Sequence, residues 1–313
     1  MDEAGYGPNL GPLLIVLTRW QTPGIPHECD FYRLLKKSVA ADGTANGSKL
    51  HLADSKRVNS GKNGFQTLEL SALSLLHCLG MDTGSFQMLR SQLTHLTGNH
   101  SFASNSPAPW YGEDLFLPVA ASPQQIAQHS RQFQKCMEKA RLQLTAVHAE
   151  FVEEERFNHL VDANGDNKGL TLSRLAFRLL RCAWSPEEPH PVFIVGDKHG
   201  GRNRYDDLLA EVLDQEMIFR LEEGQQLSRY RIRQSELRFQ VGGECHLPVA
   251  CASIIAKYLR ELAMILFNRY WSTHCPDVKP TLGYPNDARR FREQVDGKRN
   301  ELRITDRIFW RTK

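Results

Sequence analysis

The feature that most constrains the fold of this chain is the alternation of strand-like and helix-like segments along its length. Aliphatic and β-branched runs at 13–20, 142–152 and 191–197 are typical of strands. Residues 170–184 place apolar side chains at helical spacing, and the segment that starts at 249 carries the strongest helical pattern in the sequence. Strands and helices in alternation predict a layered α/β fold with a mixed sheet.

The organisation of the 313 residues is predicted to be one α/β domain over 1–270, followed by a basic C-terminal extension over 271–313 that packs on the same domain. A stretch near 80–140, whose first part is rich in Ser, Gly, Asn and Pro, indicates an irregular insertion. Residues 251–313 hold 13 Lys and Arg against 7 Asp and Glu, whereas the whole chain carries a net charge of only +3. Such a basic stretch fits a polyanionic partner, and a solvated helix face would give the same count.

Cysteine usage and hydropathy indicate the compartment. The seven cysteines are an odd number with no CxxC pair, which predicts reduced thiols and disfavours a disulfide framework or a structural zinc site. The longest apolar runs are far shorter than the roughly 18 residues that span a bilayer. The acidic start, Met-Asp-Glu, disfavours a secretory signal. We therefore expect a cytoplasmic protein without a membrane partner.

Three acidic residues stand where catalytic chemistry is plausible. Asp2 and Glu3 adjoin a glycine-rich turn, and Asp197 ends a buried-type strand. Carboxylates at strand ends repel one another unless a cation joins them, and clustered carboxylate oxygens suit Mg²⁺ or Mn²⁺. Two such ions can activate a water and stabilise the leaving oxygen in phosphodiester cleavage. On the residues alone, a solvated terminus and a turn residue explain the same three acids.

Five motifs, in order along the chain, carry a resemblance to a known family. They are DEAGYGPNLGP at 2–12, LADSKRV at 52–58, PVFIVGDKHGG at 191–201, VACASIIAKYLRE at 249–261 and TLGYPNDARRF at 281–291. Together they closely resemble the signature of type 2 ribonuclease H, the HII/HIII group. The first and fourth motifs are the most specific, and the matched pieces cover roughly half of the chain.

The resemblance implies a ribonuclease H fold, which is a five-stranded mixed sheet flanked by helices. It implies an endonuclease that hydrolyses RNA in RNA–DNA hybrids or ribonucleotide-containing DNA and leaves 3′-hydroxyl and 5′-phosphate ends. Two divalent ions, Mg²⁺ or Mn²⁺, are the implied cofactors, and we expect a monomer. The choice between HII-like and HIII-like substrate preference stays open.

The same resemblance assigns the metal-binding acids. Matched by position, they are Asp2, Glu3 and Asp197. The family spacing, counted back from the lysine of the ASIIAK helix, lands on Gly243, and a one-residue deletion brings Glu244 to that place. We therefore expect Glu244 as the fourth acid. A site with three protein carboxylates is the alternative.

Substrate contacts are also implied by the matched motifs. In the family, the G-x-G element presents its backbone to the 2′-hydroxyl, the group that distinguishes RNA from DNA. A tyrosine stacks on the neighbouring sugar, and Lys and Ser side chains contact phosphates. The matching residues are Gly5, Tyr6, Gly7, Tyr284, Ser55, Lys56, Ser253 and Lys257. Tyr284 could instead be a core aromatic residue, and Lys257 an exposed helix residue.

Two departures from the family pattern bear on activity. The chain is about half again as long as a minimal member, and only Met1 precedes the acid pair where the family has a strand. We therefore expect a truncated first strand, with an in-frame upstream extension of roughly 5–10 residues that would restore it. The rival functions are a non-catalytic hybrid-binding protein of the same fold and, with less support, another nuclease on this fold such as a resolvase.

Overall fold

The computed structural model describes residues 1–41, 49–97, 108–214 and 216–312, and the side chains at 56, 57 and 97 lie outside this description. The strands are β1 (Asp2–Ala4), β2 (Leu13–Gln21), β3 (Val39–Ala40), β4 (Leu50–His51), β5 (Gln143–Val152), β6 (Phe193–Asp197), β7 (Ile218–Glu223), β8 (Leu227–Ile232) and β9 (Ser235–Gln240). The helices are α1 (Phe31–Leu34), α2 (Ser55–Val58), α3 (Gly64–His77), α4 (Phe86–Leu93), α5 (Pro123–Ala140), α6 (Glu154–Ala163), α7 (Lys168–Ala183), α8 (Asp206–Val212), α9 (Leu247–His274), α10 (Pro285–Glu301) and α11 (Asp306–Phe309). The predicted mixture of helices and strands is confirmed.

The strands form three sheets in the described residues, and the expected single five-stranded sheet is not seen. β1, β2 and β5 form an antiparallel sheet in that order, β3 pairs with β4, and a mixed sheet runs β6-β9-β8-β7 with β6 parallel to β9. The first strand has only three residues, so it offers little backbone for a continuous ladder. A hydrogen bond of 2.7 Å from the Met1 amine to the Val195 carbonyl links this end of β1 to β6.

Alternate side chains of β2 pack into two different hydrophobic cores. Leu14 and Val16 belong to the core formed with α3, α5 and α9, whereas Leu13, Ile15 and Leu17 belong to the core formed with α6, α7 and β9. Period-2 alternation places successive side chains on opposite faces of a strand, so a run of consecutive aliphatic residues fits a sheet covered on both faces. Each buried side chain contributes about 1.5–3 kcal/mol of transfer free energy. The sheet is therefore an internal layer between helices.

Helix α9 crosses the core and passes the predicted domain boundary at 271. It runs unbroken to His274, and the helices that follow return to the same core through Phe291 and Phe309. One helix thus runs across position 271, and side chains from the helices after it belong to the same core cluster. No helix of the described chain is long and apolar enough to cross a membrane.

The predicted insertion near 80–140 is more ordered than its composition indicated. It contains α4 and α5, and a short 3₁₀ turn within it places Trp110 and Tyr111 at 0% exposure. The Trp110 ring lies 5.1 Å from that of Phe267 on α9. Large aromatic side chains bury enough apolar area to anchor a polar segment. Residues 98–107 of the predicted insertion lie outside the described residues.

Candidate active site

The glycine-rich turn, residues 5–12, links β1 to β2 and requires its first glycine. Gly5 has a φ of +85°, and a Cβ there would lie 2.4 Å from the Pro12 carbonyl oxygen. Only glycine adopts this conformation without strain, and the missing side chain makes room for the Pro12 carbonyl and the Arg260 side chain. Gly7 is exposed, and a Cβ at this position would meet nothing within 4 Å. The turn thus presents backbone to solvent directly after the acids of β1.

The segment that holds Tyr284 docks on this turn. The Gly283 carbonyl accepts hydrogen bonds from the amides of Asn9 (2.8 Å) and Leu10 (3.3 Å). Tyr284 is 47% exposed, and the Arg260 guanidinium lies 5.7 Å from its ring centroid. The alternative of a core aromatic residue is therefore wrong, because a core ring would be buried. Tyr284 borders the turn, and its stacking on a substrate sugar stays a prediction.

Arg311, near the other end of the chain, supports the turn from inside. Its side chain is 1% exposed, and Nη2 donates hydrogen bonds to the carbonyls of Gly5 and Pro8. Glu154 accepts a hydrogen bond from the Gly11 amide at 3.0 Å. Burial raises the pKa of Glu154 to about 8 and lowers that of Arg311 to about 10. The backbone of the turn is therefore held by buried polar side chains from α6 and the C-terminal segment.

The four predicted acids come together from three separate parts of the chain. Asp2 and Glu3 lie within β1, Asp197 ends β6, and Glu244 lies in the 3₁₀ turn Gly243–Cys245 that precedes α9. Asp197 Oδ1 accepts a hydrogen bond of 3.1 Å from the Gly243 amide, which joins the end of β6 to this turn. Asp2 is 8% exposed, and the other three acids are half-buried. We call these four residues the acid cluster.

Crowding of negative charge changes the protonation of the acid cluster. Burial is the largest cause that raises the pKa of Asp2 to about 7, and the charges of Glu244 and Asp197 add to it. The pKa of Glu3 is raised to about 8, first by burial and then by Asp2 and Asp197. Burial also raises the pKa of Glu244. Desolvation and like charges both disfavour the ionised form, so a bound cation would relieve the repulsion.

The two predicted phosphate-binding serines contact the acid cluster instead of facing solvent. Ser253 on α9 is 2% exposed, and its hydroxyl donates a 2.7 Å hydrogen bond to Glu244 Oε1. Its oxygen lies 2.9 Å from the Ser55 hydroxyl, and Ser55 is 7% exposed. Burial raises the pKa of Asp2, and the nearby Ser253 hydroxyl acts in the opposite direction. In this structure both serines therefore hold the acids in position.

Of the two predicted phosphate-binding lysines, only one has a side chain that the structure describes. The side chain of Lys56 lies outside the described residues. Lys257 Nζ lies 3.0 Å from Glu261 Oε1 one turn further along α9, and its side chain is only 16% exposed. The alternative of a freely exposed helix lysine is wrong, because its surface is largely covered. A phosphate contact by either lysine stays a prediction.

Two residues near the acid cluster were not predicted from the sequence. The negative charge of Asp54 raises the pKa of Glu244, which places another carboxylate beside the cluster. Lys198 is 7% exposed, and its Nζ donates to the Ser228 hydroxyl (2.9 Å) and to the Gly224 carbonyl. Lys198 thereby ties the end of β6 to the β7–β8 hairpin. Both lie within matched motifs, Asp54 in LADSKRV and Lys198 in PVFIVGDKHGG, so their position in the sequence was the available signal.

The ligand chemistry of the acid cluster suits a metal ion, but the present geometry of its side chains does not. Carboxylate oxygens are the ligands preferred by Mg²⁺ and Mn²⁺. In the described part of the chain, however, no group of three or more His, Cys, Asp or Glu side chains is already arranged to hold an ion. Oxygens of Asp197 and Glu244 accept hydrogen bonds from protein groups. Joint coordination would therefore require side-chain rotation within the cluster.

Comparison with other proteins adds no independent assignment. No protein-family model matches the chain. A search of curated proteins finds no match either. What the chain can do chemically is therefore inferred from its own residues and their geometry.

Proposed function

We propose that this protein is a metal-dependent endonuclease that hydrolyses the RNA strand of RNA–DNA hybrids. The observation that carries the proposal is the acid cluster beside an open glycine-rich turn. Four carboxylates from three chain segments meet where burial raises the pKa of Asp2 to about 7 and that of Glu3 to about 8. A set of buried acids that costs stability in this way is typical of a functional site.

The acid cluster would hold the divalent ions. Asp2, Glu3, Asp197 and Glu244 supply hard oxygen donors, which fit Mg²⁺ or Mn²⁺. When bound, two such ions supply an activated water and stabilise the leaving oxygen. Ser253 fixes one carboxylate oxygen of Glu244, and the Gly243 amide fixes one of Asp197. These contacts would have to rearrange when the carboxylates rotate to coordinate an ion together.

Recognition of RNA would come from the glycine-rich turn. The 2′-hydroxyl is the group that distinguishes RNA from DNA at one position, so a reader must lie next to the reacting phosphate. Gly5 and Gly7 offer backbone without side chains, within five residues of both acids of β1. Tyr284, exposed and docked against the turn, would stack on the adjacent sugar. Ser55, Lys56, Ser253 and Lys257 remain the proposed phosphate contacts.

The ribonuclease H arrangement of the strands is part of the proposal. Three features support it: an antiparallel β1-β2-β5 ladder, helices on both of its faces, and acids on both β1 and the end of β6. The charge of the C-terminal part of the chain supports the substrate class, because residues 251–313 carry an excess of six positive charges. A basic surface favours a polyanion through release of its counterions.

The test is cleavage of a substrate panel by the purified protein with Mg²⁺ or Mn²⁺. The panel contains an RNA–DNA hybrid, DNA with one ribonucleotide, duplex DNA, duplex RNA and a four-way junction. We expect cleavage of the first two only, with 5′-phosphate products. Asp197→Asn should lower kcat by at least about a thousandfold while hybrid binding changes by less than about fivefold.

Other outcomes would contradict the proposal in distinct ways. Hybrid binding without cleavage at millimolar metal would indicate a non-catalytic binding protein. Preferential junction cleavage would indicate a resolvase-like nuclease. Near-normal turnover by the Asp197→Asn protein would remove Asp197 from the metal site.

A further inference from the structure

Tyr6, in the glycine-rich turn, lies close to Lys168 and to the loop that carries Arg202: a Cβ at Gly200 in this loop would lie 3.2 Å from the Tyr6 hydroxyl. Lys168 opens helix α7, and its Nζ lies 4.8 Å from the Tyr6 ring centroid and 5.8 Å from that of Phe157. Arg202 lies in the loop between β6 and α8. Its positive charge acts on the Tyr6 hydroxyl and opposes the rise in pKa that burial and Glu3 produce. Tyr6 therefore contacts Lys168 on one helix and the loop before Arg202.

Neither basic side chain is neutralised within the described chain. Lys168 and Arg202 form no ion pair with any carboxylate of the described residues, and the Arg202 Nε atom is buried without a hydrogen-bond partner. Burial, followed by the charge of Arg311, lowers the pKa of Lys168 to about 8. A partly buried cation without a counter-ion is unfavourable unless an anion binds there.

The surroundings of this pair suit a phosphate group. Lys168, Tyr6 and Arg202 are each half-buried, while the glycines beside them, Gly7 and Gly201, are exposed. An anion can therefore reach the site from solvent without displacing a bulky side chain. Lys168 is the first residue of a 16-residue helix, whose N-terminus adds positive potential. Arginine and lysine are the usual partners of backbone phosphates.

We propose that Lys168 and Arg202 form a subsite for one backbone phosphodiester of a bound nucleic-acid strand, next to the glycine-rich turn. The subsite rests on the proposed function, since it places the strand relative to the acid cluster. A phosphodiester bound at this subsite would fix the register of the scissile bond relative to the turn. Tyr6 supplies the aromatic surface that holds the Lys168 ammonium in place through a cation–π contact.

The experiment measures hybrid binding without cleavage, in EDTA, as a function of KCl concentration. The variants are Lys168→Met, Arg202→Met and the double substitution. Lys168→Arg keeps the charge, and Lys139→Met removes an exposed lysine on α5 as the matched control. Each single neutral variant should raise Kd by about 5–10-fold near 0.1 M salt and reduce the slope of log K against log salt by about one. Lys168→Arg and Lys139→Met should keep the wild-type slope.

The outcomes separate this subsite from the proposed function. Unchanged slopes in folded Lys168→Met and Arg202→Met proteins would overturn the subsite even if the wild-type protein cleaves hybrids. Altered slopes in a protein that binds hybrids but never cleaves them would support the subsite and overturn the nuclease. If the methionine variant of Lys168 fails to fold, Lys168→Gln repeats the test with a polar side chain. A wild-type protein that does not bind hybrids at low salt would contradict both.

Discussion

Replacing Asp2 by asparagine tests whether the acid cluster is held together against its own charge. The folded-state pKa of Asp2 is about 7 against an ordinary value of 3.8. Between these values the carboxyl is protonated in the folded protein and ionised in the unfolded chain. Stability of the metal-free protein should therefore fall as pH rises through this window and level off above about pH 7. Asp2→Asn removes this titration and should flatten the profile.

The size of the effect follows from the pKa difference. The range from about pH 5 to about pH 9 contains a window of roughly two pH units that matters here. Within this window the Asp2 carboxyl keeps its proton in the folded protein and has lost it in the unfolded chain. At about 1.4 kcal/mol per unit, wild type should lose about 3 kcal/mol relative to the Asp2→Asn protein. For a chain of this size that corresponds to a difference in Tm of about 5 °C. Glu3 and the Met1 amine also titrate, but they are present in both proteins.

The assay is thermal unfolding of both proteins in EDTA across this pH range, repeated with millimolar Mg²⁺ or Mn²⁺. Metal should raise the Tm of wild type at alkaline pH by binding the ionised cluster, and should have a much smaller effect on the Asp2→Asn protein. Asp277→Asn, in the exposed segment after α9, is the matched control and should follow wild type. Parallel pH profiles for wild type and the Asp2→Asn protein would refute the account of a buried, self-repelling acid.

Three further substitutions, the first with a matched control, test other parts of the site. Glu244→Gln should lower kcat by about a hundredfold or more. Glu236→Gln is the control and should change kcat by less than about threefold, because Glu236 pairs with arginines on β8 and β9. Cleavage kinetics with the reverse ranking would show that Glu244 is not the fourth acid. Ser253→Ala removes the hydrogen bond to Glu244 and should cost about 1–2 kcal/mol of unfolding free energy and about tenfold in kcat. Arg311→Met leaves the Gly5 carbonyl without its buried donor, so we expect a loss of about 2–4 kcal/mol in chemical denaturation and weaker discrimination of hybrid from duplex DNA. An unchanged denaturation midpoint for that variant would show that the turn does not depend on this contact.

Local patterns in the sequence were sufficient for most of the secondary structure. The aliphatic run of β2, the amphipathic stripe of α7 and the long apolar pattern of α9 all appear as helices or strands near the predicted positions. Each of these signals depends on residues within a few positions of one another, where backbone geometry alone dictates the period. The same holds for Gly5, whose conformation follows from a tight turn between two paired strands.

The sequence was less informative about how segments distant in the chain meet. The division of the strands into separate sheets depends on how few residues β1 contributes, and burial of the 109–111 turn depends on an aromatic surface supplied by α9. Neither the separate sheets nor the buried turn can be predicted from composition, because composition does not specify which surfaces face each other. For the same reason, the helix Phe86–Leu93 was not predicted from the composition of this stretch.

The acids and the glycine-rich turn could be proposed from the sequence, but the contacts that hold them could not. Ser253 is turned toward Glu244 because α9 packs across β1, and Arg311 reaches the turn because the chain returns over 300 residues later. Side-chain direction at such positions is decided by packing between elements rather than by local propensity. The sequence alone was enough to propose which residues would carry the chemistry, whereas the tertiary structure decided which of them lie together, since burial and charge act across the folded chain.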